Sequence, residues 1–236
     1  GQGPAPANAV QIGTDADGGW GINAYSDTPG EDPTDDHGHG THVAGIIGAV
    51  GNNALGIPGV CWNVSLLAVK TLGGEDAEGT SDMIITGIDY ILDQKQKGVP
   101  IVAANFSLGA WWDEDSDETT SPYAMAFKAL SDAGILVLAA SGNEYQDMDN
   151  PGGAGTNPSE PDESYTGKKH WPSSMTRVEN KISVGAVGQD GNMAAFSNWS
   201  PTKVDIAAPG VDIWSSVRNN DYEALQGTSM ATPYVT

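Results

Sequence analysis

Apolar residues follow two different periods along this chain, and the two alternate. Between residues 80 and 97, Met83, Ile84, Ile88, Ile91 and Leu92 keep a helical period behind the polar cap Thr80-Ser81-Asp82. Continuous apolar runs at 64–70, 99–105 and 135–140 read as buried strands. A helix at about 120–133 leads through Gly134 into the last of these. Residues 40–50 read as a buried helix rich in small residues, ended by Gly51-Asn52-Asn53. Strand, helix, strand, helix, strand at this spacing implies right-handed crossovers and a parallel sheet with helices on both faces. The expected fold is α/β, a three-layer α/β/α arrangement around a mainly parallel central sheet. Further on, 182–187, 204–207 and 211–217 are expected as short strands. Residues 1–36 and 144–170 read as polar loops.

Composition narrows this picture. The 236 residues suit one large domain with a sizeable core, and 31 glycines imply many tight turns. Thirty-one acidic against 10 basic residues give a net charge of −21, which argues against nucleic-acid or anionic-membrane partners. No apolar run reaches the roughly 18–20 residues of a membrane helix. Cys61 is the only cysteine, so no intrachain disulfide forms. The first residue is not Met and no apolar signal core follows it. The last helix stops after about two turns. Both ends are therefore expected to be cut.

Ligands of an open α/β sheet bind beyond the C-terminal ends of its strands. Asn105-Phe106-Ser107-Leu108-Gly109 and Ser141-Gly142-Asn143-Glu144 fall at such ends, and His37, His39 and His42 open the small-residue helix. Ser229 lies in the turn Gly227-Thr228-Ser229, before an apolar run at 230–235 that reads as a helix. There it could be an exposed nucleophile beside outward-pointing backbone N–H groups, or simply an N-cap. His37-Gly38-His39-Gly40-Thr41-His42 has the H-x-H-x-x-H spacing of a zinc hydrolase, but His42 also suits a buried, hydrogen-bonded role.

His39-Gly40-Thr41-His42-Val43-Ala44-Gly45 and Gly227-Thr228-Ser229-Met230-Ala231-Thr232-Pro233 resemble the two best-known signatures of subtilisin-like serine peptidases. Asn105 to Gly109, Ala140-Ser141-Gly142-Asn143-Glu144 and Ala207-Ala208-Pro209-Gly210 match between them, in the same order. The resemblance covers about residues 37–236. Trp20-Gly21-Ile22-Asn23 before an acidic loop is similar to the larger extracellular microbial members.

The resemblance implies a serine endopeptidase. In it Ser229 is the nucleophile, His39 the general base and Asn143 the oxyanion donor. Ser107, Leu108 and Gly109 would pair with an extended polypeptide substrate. Ser141 and Gly142 would help wall the specificity pocket, where small residues suggest room for a sizeable apolar side chain. The acidic loops Asp113-Glu114-Asp115 and Asp162-Glu163 would favour basic groups at outer subsites. Residues 51–60 resemble the family's calcium loop, with Asn53 binding by its side chain and Leu55 and Ile57 by their carbonyls. Trp171-Pro172 matches a cis-proline position. A secreted monomer is expected.

One member of the triad is missing from the pattern. The family's Asp follows an apolar strand; Asp27-Thr28-Pro29-Gly30 follows polar residues, and Asp15 and Asp17 lie in a Gly-rich loop. The Asp is expected upstream of Gly1, and residues 1–236 alone are expected to fold poorly and be nearly inactive. A peptide-binding protein that does not cut, and a zinc hydrolase using His37, His39 and His42, stand as alternatives.

Overall fold

The computed structural model describes residues 19, 21–26, 29–30, 32–153 and 163–236. Trp20, Asp15, Asp17, Asp27, Thr28 and Asp162 lie outside the described residues. The chain divides into two units, 1–101 with 214–224, and 102–213 with 225–236.

In the first unit, β1 (Gly21–Asn23) pairs in parallel with β2 (Ala68–Lys70). The apolar run at 64–70 is thus a strand only over its last three residues, and it is half-buried rather than buried. Between them runs α1 (His39–Gly48), whose small and β-branched residues Val43, Gly45, Ile46 and Ile47 are buried. The last carbonyls of a helix have no partner within it. Here the following loop returns to supply them: Val60 N donates to Ile46 O at 2.9 Å and Cys61 N to Ile47 O at 2.9 Å. α2 (Ser81–Gln96) has the expected period, with Ile84, Ile88 and Ile91 buried, and Met83 N donates to the Thr80 hydroxyl that caps it.

The second unit opens with β3 (Ala103–Phe106) and β4 (Ala110–Trp112). Then come α3 (Pro122–Asp132), β5 (Leu136–Ala140), β6 (Lys169–Trp171), β7 (Lys181–Val187) and β8 (Ile206–Pro209). The order β3-β5-β7-β8 makes a four-stranded sheet, parallel at every pairing. That is the expected α/β class. β4 and β6 pair antiparallel with Trp111 opposite His170; β6 begins at the end of the 144–170 stretch that reads as loop, and no period marks a three-residue strand. The Trp171–Pro172 peptide is cis, as the resemblance implies.

β9 (Ile213–Val217) and β10 (Asp221–Leu225) pair with each other, and most of both belongs to the first unit. The Ser215 hydroxyl donates to His42 O at 2.7 Å, which seats this pair on α1. A Cβ on Gly45 would stand 2.4 Å from both Ser215 Oγ and Ser216 Oγ, so only glycine permits the approach. The chain closes with α4 (Thr228–Ala231), which continues as a 3₁₀ turn over Thr232–Tyr234. Ala231 packs there on Val184, Ala186, Ala194 and Ala208. The helix expected over 230–235 thus begins two residues earlier and tightens at Thr232, next to Pro233.

Candidate functional site

In the second unit, three chain segments meet at Ser229. Gly227 occupies the N-cap position of α4 with φ 147°, a conformation that favours glycine, so Ser229 is not the cap and its hydroxyl is left for other work. That hydroxyl donates to Ser107 O at 3.2 Å, and the Ser107 hydroxyl donates back to Ser229 O at 2.7 Å. Asn105 Nδ2 in turn donates to Ser107 Oγ at 3.0 Å. The end of β3 is therefore stitched directly to the first turn of α4.

Asn143 lies just beyond β5, exposed at its end of the sheet. Its Oδ1 accepts from Thr228 N at 2.8 Å and from the Thr228 hydroxyl at 3.0 Å. Both contacts fix which atom of the amide is oxygen, and they leave the Nδ2 hydrogens to donate elsewhere. A Cβ built on Gly227 would stand 3.5 Å from Asn143 Nδ2 and 3.6 Å from Ser229 N. Two N–H donors thus border one small space, which a side chain at Gly227 would obstruct. Developing negative charge on a substrate oxygen needs an arrangement of this kind.

Ser141 and Gly142 sit behind Asn143 and are buried. The Ser141 hydroxyl donates to Asn198 O at 3.1 Å. Gly142 N donates to Thr228 Oγ1 at 3.1 Å, and Gly142 O accepts from Asn198 N at 3.0 Å. Both polar backbone groups of Gly142 are occupied, so it can wall a pocket but not pair with a substrate strand. Leu108 is half-buried and Gly109 exposed, and Ser107 O already serves Ser229.

His39 belongs to the first unit, as the first residue of α1. Asp35 organises its turn. Asp35 Oδ1 accepts from His37 N at 2.9 Å and Gly38 N at 2.8 Å, and Oδ2 from Thr41 N at 2.9 Å and the Thr41 hydroxyl at 2.6 Å. Burial pushes the Asp35 carboxyl up, but these hydrogen bonds outweigh it and hold the group below its ordinary value. His39 is held below the ordinary histidine range by burial, then by the like charges of His37 and His42, against the opposing pull of Asp35. His39 is thus kept neutral near pH 7, the form able to accept a proton.

His42 is fully buried and its Nε2 lies 3.1 Å from Glu223 O, which commits the ring to the backbone. Among the described residues, no three His, Cys, Asp or Glu side chains are grouped to hold a metal ion. This removes the support for zinc at His37, His39 and His42. The 51–60 loop carries Asn52, Ala54 and Gly56 at φ 58°, 59° and 48°, a left-handed residue at every second position. It lines a concavity of about 290 Å³ with Asn53, Leu55 and Trp62. Asn53 Oδ1 accepts from Leu55 N at 3.0 Å.

The arrangement defines an α/β protein with a serine and two amide donors at the ends of parallel strands. Comparisons with known proteins agree. The subtilase family model matches residues 10–236. Subtilisin Savinase from Lederbergia lenta is 36% identical over 208 residues, covering 88% of this chain and 64% of that protein. The alkaline protease of Alkalihalobacillus alcalophilus is 37% identical over 208 residues, 88% of this chain and 45% of its own length. The major intracellular serine protease of Bacillus subtilis (strain 168) is 38% identical over 202 residues, 86% and 54%. Among solved structures, a cold adapted subtilisin-like serine proteinase superposes with a TM-score of 0.68 at 29% identity, over 97% of this chain and 69% of that one. The chain belongs to the subtilase family. It spans between 45% and 64% of the length of these three relatives.

Thr228, Asn198 and Asp35 are the residues that sequence reasoning missed. Thr228 and Asp35 stood inside or beside recognised motifs, but nothing in the order of residues said which atoms they would hold. Replacing Asp35 with Ala strips four hydrogen bonds from the first turn of α1. It is expected to cost the intact protein about 1–3 kcal/mol in urea denaturation at pH 7. Because the folded-state pKa of Asp35 is depressed, its contribution is present above the unfolded pKa of 3.8 and lost as pH falls through the folded value. The difference between wild type and Asp35→Ala should therefore shrink in strong acid, and a gap that stays constant would contradict this account.

Proposed function

We propose that this chain supplies the nucleophile and oxyanion donors of a serine endopeptidase. The convergence of Asn143 Nδ2 and Ser229 N beside Gly227 carries this reading. Ser229 Oγ gives up its hydrogen bond to Ser107 O and attacks the scissile carbonyl carbon. Its proton passes to a general base, the role that the subtilase motif gives to His39, and the carbonyl oxygen becomes an oxyanion. Ser229 N–H and Asn143 Nδ2–H donate to that oxygen. The carbon–nitrogen bond then breaks, the amine leaves with the proton from His39, and an ester on Ser229 remains. Water, deprotonated by His39, attacks the ester carbon; the bond from that carbon to Ser229 Oγ breaks, the proton returns to Oγ, and the carboxylic acid product leaves. No described residue is assigned to orient His39 from its far side.

The substrate is a polypeptide, held in extended form along the free edge at Leu108 and Gly109. Ser107, Ser141 and Gly142 shape that edge from behind. A partner of this kind needs no basic surface, which agrees with the charge of −21. Among the described residues, no helix is long and apolar enough to cross a membrane. The compartment is not fixed by the family, since one relative is named an intracellular protease and others are named alkaline proteases.

Calcium is the second component proposed. The 51–60 loop fits a hard cation in the kind of donor it offers. Leu55 and Ile57 bring carbonyl oxygens, and Asn53 brings an amide oxygen, which also accepts from Leu55 N. The ion would cross-link the loop that returns onto the end of α1, and it takes no part in the chemical steps.

Four measurements test these assignments. A fluorophosphonate probe should label Ser229 of the intact protein, and His39→Ala should abolish the label. Asn143→Ala should lower turnover by roughly 10²–10³-fold, the loss seen when such a donor is removed from a related peptidase. A folded protein that binds peptide without labelling would instead be a non-catalytic binder. For pH dependence, the acid limb of kcat/KM should fall below the free-histidine value of 6.5, because the lowered pKa keeps His39 neutral in milder acid. The like charge of His37 contributes to that shift, so His37→Asn should move the limb to higher pH. Calorimetric titration with calcium should show a site that Asn53→Ala weakens; no heat in the wild type would remove calcium from the account.

A further inference from the structure

We propose that His170 sets the substrate preference of the Ser229 site, by filling the space between the 107–109 and 141–143 segments so that only a small side chain fits beside the scissile carbonyl. The inference rests on the peptidase reading and sharpens it.

Glycines at 109 and 142 leave room between the two segments, and from sequence that room suggests a large apolar guest. The structure fills it from within. A Cβ on Gly109 would stand 2.4 Å from His170 Cε1 and 2.8 Å from its Nε2. A Cβ on Gly142 would stand 2.8 Å from the same Nε2, 2.6 Å from Glu144 Oε2 and 2.3 Å from Asn198 Nδ2. The edge of one imidazole therefore touches both walls, and a carboxylate and an amide crowd the same spot. The atoms that crowd the space are polar, which disfavours an aromatic or long aliphatic side chain.

His170 cannot swing aside without wider disruption. It is 3% exposed. Its Nδ1 lies 2.7 Å from Ser173 Oγ, and that hydroxyl also reaches His170 O at 3.1 Å. The Trp111 ring packs edge-on at 5.2 Å, and the β4–β6 pairing sets Trp111 directly opposite His170. Because β4 begins immediately after Gly109, the same pairing fixes the ring to the pocket wall. Burial lowers the pKa of His170 to about 4, with Glu144 opposing, so the ring is neutral at working pH and offers a substrate no cation.

Two peptide anilides differing only in the residue that supplies the scissile carbonyl, Ala or Phe, test the proposal in the intact protein. Both are measured on enzyme whose competent fraction is counted by fluorophosphonate labelling of Ser229. The wild type is expected to prefer Ala in kcat/KM. His170→Gly should shift the Phe/Ala ratio toward Phe by roughly 10–100-fold, the scale of a pocket-size change. His170→Asn keeps a polar partner for Ser173 and should shift it part of the way, and it replaces the glycine variant if that one fails to fold. A ratio is insensitive to lost folded enzyme, so a merely structural role would leave it unmoved. A wild type that prefers Phe, or variants that label normally with an unchanged ratio, would overturn this inference alone. No labelling of the wild type would overturn the peptidase reading and this inference with it.

Discussion

The turn that follows β5 depends on one buried amide, that of Asn198. Its Nδ2 donates to Ser141 O at 2.9 Å and to Glu144 Oε2 at 2.5 Å. Its Oδ1 accepts from Glu144 N at 3.2 Å and Gln146 N at 2.8 Å, and its own N–H binds Gly142 O. One side chain thus satisfies polar groups on both sides of the loop, between its anchor to β7 through Ser141 N and its bonds to Thr228 of α4. In a buried setting an unpaired member of such a network is costly, so the network holds as a unit. Asn143, at the centre of the loop, has its position set by its neighbours and is left exposed.

On the other flank the same logic runs through Thr228. Its backbone N–H and hydroxyl both go to Asn143 Oδ1, while the hydroxyl oxygen accepts from Gly142 N. The donor atom of Asn143 is therefore chosen by what its acceptor atom is doing. This matters for any chemistry that uses the amide as a donor, because an unpinned asparagine could present either atom. Preorganisation of this sort means that little needs to reorient when charge appears.

Much of this was legible in the sequence. The apolar pattern found α2, α3 and the strands of the four-stranded sheet, most clearly β5 and β7, which are largely buried; it missed β1, three residues inside a stretch that reads as polar loop. The motifs found Ser107, Asn143 and Ser229, which the structure brings together at the strand ends and the first turn of α4. Less was legible where local pattern is silent. β4 and β6 are three residues each and joined across nearly sixty positions, so no period announces them. Asp35 stood in an acidic run that reads as solvated loop, yet its carboxylate binds the N–H and hydroxyl of Thr41 in the first turn of α1. Asn198 falls between two expected strands and belongs to no motif. For β4, β6 and Asn198 the missing information was a long-range partner, which composition and spacing do not encode; the partners of Asp35 are near in sequence, but nothing in an acidic run says which carboxylate turns back to them.

His170 makes the same point from the opposite direction. Read locally, it is a lone histidine ahead of the Trp171-Pro172 pair, with no sign of which segments it will touch. Its place between Gly109 and Gly142 follows from the β4–β6 pairing, which is a tertiary event, and from two glycines whose missing side chains leave the space. Small residues along a cleft do not by themselves mean a roomy cleft, because the vacated volume is available to any side chain that the fold can deliver there. Close packing of protein interiors makes such delivery the default. The shape of a pocket is thus decided by its most distant contributor as much as by the segments that carry the recognised motifs.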